Sequence, residues 1–124
     1  MCSIFGIASK IKINTSLFEK SAKLMTHRGP DHYGSWESKD KNLILSSSRL
    51  AINDLSSNGH QPMSDHTDKY KIVFNGEIYN FKDLADEFKF SETHNFSDTD
   101  LLFYLIEKIG FNKTISQLRG MFAI

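Results

Sequence analysis

The segment from Ser97 to Gly110 constrains the fold more tightly than any other. Leu101, Leu102, Leu105, Ile106 and Ile109 recur at helical spacing and give one apolar stripe. Ser97 is placed to cap that helix, with Asp100 at its third position as a variant of the capping box. Gly110 ends it. The spacing therefore predicts a helix over Asp98–Ile109. Ser3–Ala8 reads as a buried strand at the N-terminus. A second helix is expected from about Thr15 to Met25, capped by Asn14 or Thr15, with Leu17, Leu24, Met25 and Phe18 on its apolar side. Gly29 and Pro30 stop it.

Leu43, Leu45, Leu50 and Ile52 mark extended segments around a polar Ser-Ser-Ser-Arg stretch, and Asn53 to Met63 is rich in turn residues. Tyr70–Phe74 reads as a strand by its aromatic and β-branched content. Asn75-Gly76, with apolar residues on both sides, signals a hairpin turn. A short helix over Phe81–Phe88 follows, capped by Asn80. The final Gly-Met-Phe-Ala-Ile looks like the start of a strand, which suggests a domain longer than these residues. Strands and helices mix without a regular βαβ rhythm, so the fold class is α+β in a single domain over 1–124.

Acidic and basic residues balance at 15 each. No basic surplus points to nucleic acid, and no cationic run points to a membrane surface. Cys2 is the sole cysteine, so no internal disulfide can form. No apolar run reaches the roughly 20 residues of a membrane span, and the N-terminus lacks the order of charges of a signal peptide. A cytoplasmic location is expected, and the Asn14, Asn95 and Asn112 sequons are read as chance matches. The histidines form no metal-binding pattern, and no phosphate-binding glycine loop occurs.

Several residues admit two readings. Cys2 is either a small buried hydrophobe or, once Met1 is removed, a nucleophile carrying its own base. The α-amine, of pKa about 8, is suited to taking a proton from a thiol of pKa about 8.5, directly or through one water. Asn75-Gly76 is a turn, an oxyanion hole, or both: the Asn75 amide and the Gly76 N–H are the donor types that a developing oxyanion needs. Arg49 is a surface charge or a bidentate fork for an α-carboxylate. Asp98 is a helix-start acid or a partner for an α-ammonium. Glu77 is an exposed strand charge or a second such partner.

Seven blocks occur in order: Met-Cys-Ser-Ile-Phe-Gly-Ile (1–7), His-Arg-Gly-Pro-Asp (27–31), Arg-Leu-Ala-Ile (49–52) with Asp54-Leu55-Ser56, Gly-His-Gln-Pro-Met (59–63), Asn-Gly-Glu-Ile-Tyr-Asn (75–80), Ser-Asp-Thr-Asp (97–100) and Arg-Gly-Met-Phe-Ala (119–123). The series resembles the class II glutamine amidotransferase domain, and within it that of the glutamine-hydrolysing asparagine synthetases. The resemblance implies a four-layer αββα sandwich of the N-terminal-nucleophile hydrolase type, incomplete at the C-terminus. It implies Cys2 as nucleophile, Asn75 and Gly76 as oxyanion hole, and Arg49, Glu77 and Asp98 as the glutamine clamp, with backbone at Leu50 and Ile52 also touching substrate. Ammonia released from glutamine would pass to a second, ATP-using domain, where ATP and magnesium activate aspartate for conversion to asparagine. That domain is absent from these residues, which are expected to fold poorly alone and to be unable to make asparagine. No cofactor is expected in this segment. The resemblance leaves open another acceptor, such as a sugar or polysaccharide, and a non-catalytic binding module. It also leaves open the oligomeric state, a homodimer being one option.

Overall fold

The structure, a computed structural model, describes residues 2–51, 59–90 and 97–124. It divides into two compact units, the described residues up to Asn75 with Ala123–Ile124, and Gly76–Phe122. Helices and small sheets mix in it, in keeping with α+β.

The first unit is built on a three-stranded antiparallel sheet in the order β1 (Ser3–Ala8), β3 (Leu43–Arg49), β2 (His32–Glu37). The register pairs Ser3 with Ser48 on one side of β3 and His32 with Arg49 on the other. That register brings the N-terminus to the end of β3. The serine stretch is therefore part of the strand and does not interrupt it. As the central strand β3 is covered on both sides, and Ile44, Ser46, Ser47 and Ser48 are all buried. Serines fit there because they are small and their hydroxyls find partners: Ser46 Oγ donates to the Phe5 carbonyl at 3.3 Å.

Helix α1 (Thr15–Lys23) lies on this sheet, with Asn14 Oδ1 accepting from the Leu17 N–H at 3.0 Å as its cap. Its core face differs from the expected stripe. Phe18 and Ala22, one turn apart, are buried with Ile44, and Phe18 stacks on Phe5 at 5.0 Å between ring centroids. Leu17 and Leu24 stay 63% and 77% exposed. The single large ring settles which side turns inward, because it buries the most apolar surface. Tyr33 Oη donates to Glu19 Oε2 at 2.7 Å and ties the helix to β2, and burial pushes that phenol up to about 12.

Two short strands, β4 (Met63–Ser64) and β5 (Lys71–Ile72), pair antiparallel. Asn75-Gly76 is not a hairpin turn. Asn75–Ile78 is itself a strand, β6, and it pairs with β7 (Gly120–Ala123). A Cβ on Gly76 would lie 2.2 Å from the Met121 carbonyl oxygen. Gly76 is thus glycine because β7 passes too close for any side chain.

In the second unit α2 (Phe81–Glu87), α3 (Asp98–Ile109) and α4 (Phe111–Gln117) follow β6. The α3 capping box is complete: Ser97 Oγ accepts from the Asp100 N–H, and Asp100 Oδ2 accepts from the Ser97 N–H at 2.8 Å. Leu101, Leu102 and Leu105 are fully buried. Asn80 precedes α2 but does not cap it with its side chain. Its Nδ2 donates to the Gln117 carbonyl at 2.9 Å, and its Oδ1 accepts from the Arg119 N–H at 2.8 Å. An amide can hold a carbonyl and an N–H at once, and that use prevails over capping.

Candidate functional site

Cys2 stands immediately before β1, half-buried. The β1–β3 register carries it to the chain leaving β3, where the Leu50 N–H points at Cys2 Sγ from 3.5 Å. The thiol in turn lies 3.9 Å from the Leu50 carbonyl, toward which its S–H is directed. A sulfur that faces both backbone groups of one residue has an acceptor for its proton and a donor for the charge left behind.

The Arg28–Asp31 segment encloses this place. Arg28 Nε donates to the Cys2 carbonyl at 3.3 Å. Gly29 lies against β3 so closely that a Cβ would be 2.4 Å from the Ser48 carbonyl oxygen. The Asp31 N–H donates to the Arg49 carbonyl at 3.0 Å, and Asp31 Oδ2 accepts from the Ala51 N–H at 2.8 Å. Ser3 Oγ donates to the Met25 carbonyl at 3.4 Å. Residue type alone does not mark Arg28 or Asp31. The available signal was an Arg and an Asp flanking Gly-Pro within one of the ordered blocks.

Arg49 closes β3 opposite His32. A Cβ on Gly59 would meet its guanidinium at 2.6 Å, so that loop lies directly on the arginine. The His32 and His60 rings stack at 3.5 Å, nearly parallel. Burial, then the nearby His60 and Arg49, hold the His32 imidazole below its ordinary value. Its Nδ1 is buried without a hydrogen-bond partner among the described residues.

In the second unit, β6 carries Gly76 and Glu77, and α3 begins with Asp98. Burial raises the Asp98 carboxyl above its ordinary value, against hydrogen bonds from the Thr99 and Asp98 N–H groups, and the charges of Glu77 and Asp100 raise it further. An open depression of about 440 Å³ lined by Asn80, Asp83, Leu84, Glu87, Ser116, Gln117 and Arg119 contains none of the expected site residues.

Within the first unit, then, the fold brings Cys2 to Leu50 and sets Arg49 beside it in the chain, and within the second Glu77 acts on Asp98. Met1, Ile52, Asp54-Leu55-Ser56 and the Asn95 of one sequon lie outside the described residues. Among the described residues no helix is long and apolar enough to cross a membrane.

The family profile of the glutamine amidotransferase domain matches residues 1–124. Asparagine synthetase B [glutamine-hydrolyzing] of Escherichia coli is 36% identical over 99% of the chain, which covers 22% of that protein. Asparagine synthetase [glutamine-hydrolyzing] 1 of Bacillus subtilis is 34% identical over 99% of the chain and 20% of its own length. Amidase chry2 of Gibberella zeae is 41% identical over 85% of the chain and 16% of its own length. The chain thus spans about a quarter or less of these curated relatives. Matched along its whole length, it belongs to the glutamine amidotransferase domain family.

Proposed function

We propose that this chain hydrolyses the side-chain amide of glutamine, with Cys2 as nucleophile once Met1 has been removed. The observation that carries the reading is the Leu50 N–H aimed at a half-buried Cys2 Sγ from 3.5 Å. A cysteine serving only to fill the core needs no such donor.

The α-amine freed by loss of Met1 takes the thiol proton, and sulfur attacks the amide carbon. Charge develops on the carbonyl oxygen, for which the Asn75 side-chain amide and the Gly76 N–H are the donors. The C–N bond breaks, nitrogen takes the proton, and ammonia leaves a glutamyl thioester. Water cleaves the thioester to glutamate and restores the thiol, so glutamine and water give glutamate and ammonia. Arg49 binds the α-carboxylate as a bidentate fork, and Leu50 and Ile52 contribute backbone contacts. Glu77 and Asp98 bind the α-ammonium. Two neighbouring acids, one of them held above its usual range, suit a ligand that brings a positive charge. We assign the fold to the αββα N-terminal-nucleophile type on the order of the motifs.

In the whole protein we propose that the ammonia reaches an ATP-using domain. There magnesium-bound ATP and aspartate are co-substrates and asparagine is the product, made in the cytoplasm. The names of the relatives from Escherichia coli and Bacillus subtilis support this acceptor. A second reading, the same glutaminase with another acceptor, is favoured by the relative named an amidase.

The test uses the full-length protein with glutamine labelled at the amide nitrogen, aspartate, ATP and magnesium, with and without Cys2→Ala. Label in asparagine, only when Cys2 is present, supports both nucleophile and acceptor. Label released solely as ammonia keeps the glutaminase and discards aspartate. No release by the unsubstituted protein refutes the proposal.

A further inference from the structure

The Arg28–Asp31 block has no part in the chemistry set out above, yet it touches the nucleophile's surroundings at several points. Leu50 is held from both sides by one residue. The Asp31 N–H binds the carbonyl of Arg49, just before Leu50, and Asp31 Oδ2 binds the N–H of Ala51, just after it. Between those two anchors the Leu50 N–H meets Cys2 Sγ. The peptide that carries this N–H joins Arg49 to Leu50, and the bond to the Arg49 carbonyl anchors its oxygen without setting its tilt. The next peptide is fixed by the bond from the Ala51 N–H. Leu50 lies beyond the end of β3 and has no ladder partner among the described residues.

We infer that Asp31 is a positioning residue for the nucleophile: its carboxylate, by accepting from the Ala51 N–H, keeps the Leu50 N–H directed at Cys2 Sγ. This rests on the reading of Cys2 as nucleophile. The carboxylate is required as an acceptor in a fixed place and not for its charge, because its partner is a neutral N–H. An asparagine, which keeps a carbonyl oxygen there, meets the same need.

The experiment compares Asp31→Ala and Asp31→Asn in the full-length protein. Carboxamidomethylation of Cys2 by iodoacetamide at fixed pH is followed by mass spectrometry of the N-terminal peptide, and glutamine hydrolysis is measured alongside. Asp31→Ala is expected to slow alkylation by about five- to tenfold, the scale of one hydrogen bond. It should lower kcat by a similar factor and leave KM within about twofold. Asp31→Asn should recover most of both rates. The thermal midpoints of both variants serve as the check on folding, since Asp31 is exposed and its loss removes no packing. Wild-type alkylation in Asp31→Ala overturns the inference. So does an Asp31→Asn variant as slow as Asp31→Ala, which makes charge the operative property. If the alkylation pattern holds while the unsubstituted protein releases no ammonia, the positioning role stands and the glutaminase reading falls.

Discussion

Replacing Gly76 by alanine tests both the strand pairing and the proposed oxyanion donor. The added Cβ would lie 2.2 Å from the Met121 carbonyl oxygen and 2.5 Å from Phe122 Cα. Both are backbone atoms of the paired strand, so no side chain can swing aside. β7 must retreat by roughly 1 Å to restore van der Waals contact, and the pairing of β6 with β7 loosens with it. Gly76 also sits at φ +155°, which a side-chain-bearing residue rarely adopts. Overpacking costs about 1–3 kcal/mol and backbone strain about as much again, a large share of the roughly 5–15 kcal/mol that holds a domain together. If the Gly76 N–H is an oxyanion donor, its displacement lowers kcat by about 10²- to 10³-fold. Gly110→Ala is the matched comparison. Gly110 has φ +82°, but a Cβ there would meet nothing within 4 Å. It carries strain of about 1–3 kcal/mol without the collision. The assays are the thermal midpoint and the rate of glutamine hydrolysis well below it. Hydrolysis by folded Gly76→Ala within about threefold of wild type refutes the donor assignment. Equal midpoints for the two variants refute the steric argument.

Three further outcomes follow from the packing and the charges. Phe18→Ala should destabilise by about 3–5 kcal/mol in a denaturant titration, whereas Leu17→Ala, at 63% exposed, should stay within about 0.5 kcal/mol. Ser97→Ala removes the acceptor for the Asp100 N–H and should cost about 1 kcal/mol by the same assay. Asp98→Asn should raise the thermal midpoint at pH 7 and leave it nearly unchanged at pH 3. The folded carboxyl is held above its ordinary value of 3.8, so its destabilisation is present above the raised value and absent once both states are protonated.

The sequence located elements best where local signals agreed. For Asp98–Ile109 the stripe, the cap and the terminal glycine all coincide, and the helix has those bounds. Ser3–Ala8 is likewise a strand over those residues, but only Ser3 in it is buried, so it is not the buried strand expected. The reading of α1 placed Leu17 and Leu24 inward because periodicity alone cannot say which of several apolar residues finds a partner; Phe5 and Ile44 select Phe18. β2 leaves no clear signature in the sequence, since most of His32–Glu37 is only half-buried and its residues alternate weakly. β3 was read as interrupted because serines look like a loop until a strand flanks them on each side. Asn75-Gly76 has the dipeptide signature of a hairpin, but its glycine answers to β7, more than forty residues along the chain. α4 has no side-chain cap and packs with α3, and its one buried residue is the polar Thr114, which gives no apolar stripe to read. At the candidate site, the type and position of Cys2 could be read from sequence. The Leu50 N–H could not, because a backbone donor has no letter in the sequence.

The two acids at the start of α3 stand in different surroundings. Asp100 is fully used: Ser97 offers it both its N–H and its hydroxyl at 2.8 Å, and it repays the helix by satisfying an N–H that the helix leaves unpaired. Asp98, two residues earlier in the same first turn, also lies where the helix dipole favours negative charge. Its carboxyl is nonetheless raised, since burial and the nearby Glu77 outweigh the dipole and two backbone N–H groups. Helix formation is therefore served by one acid, while the ionised form of the other is disfavoured in the folded state. A partner that brings positive charge to Asp98 and Glu77 would offset that penalty. The α-ammonium of an amino acid has this charge. Asp98→Asn should accordingly weaken glutamine binding while it stabilises the fold, and unchanged binding would refute a ligand role for Asp98.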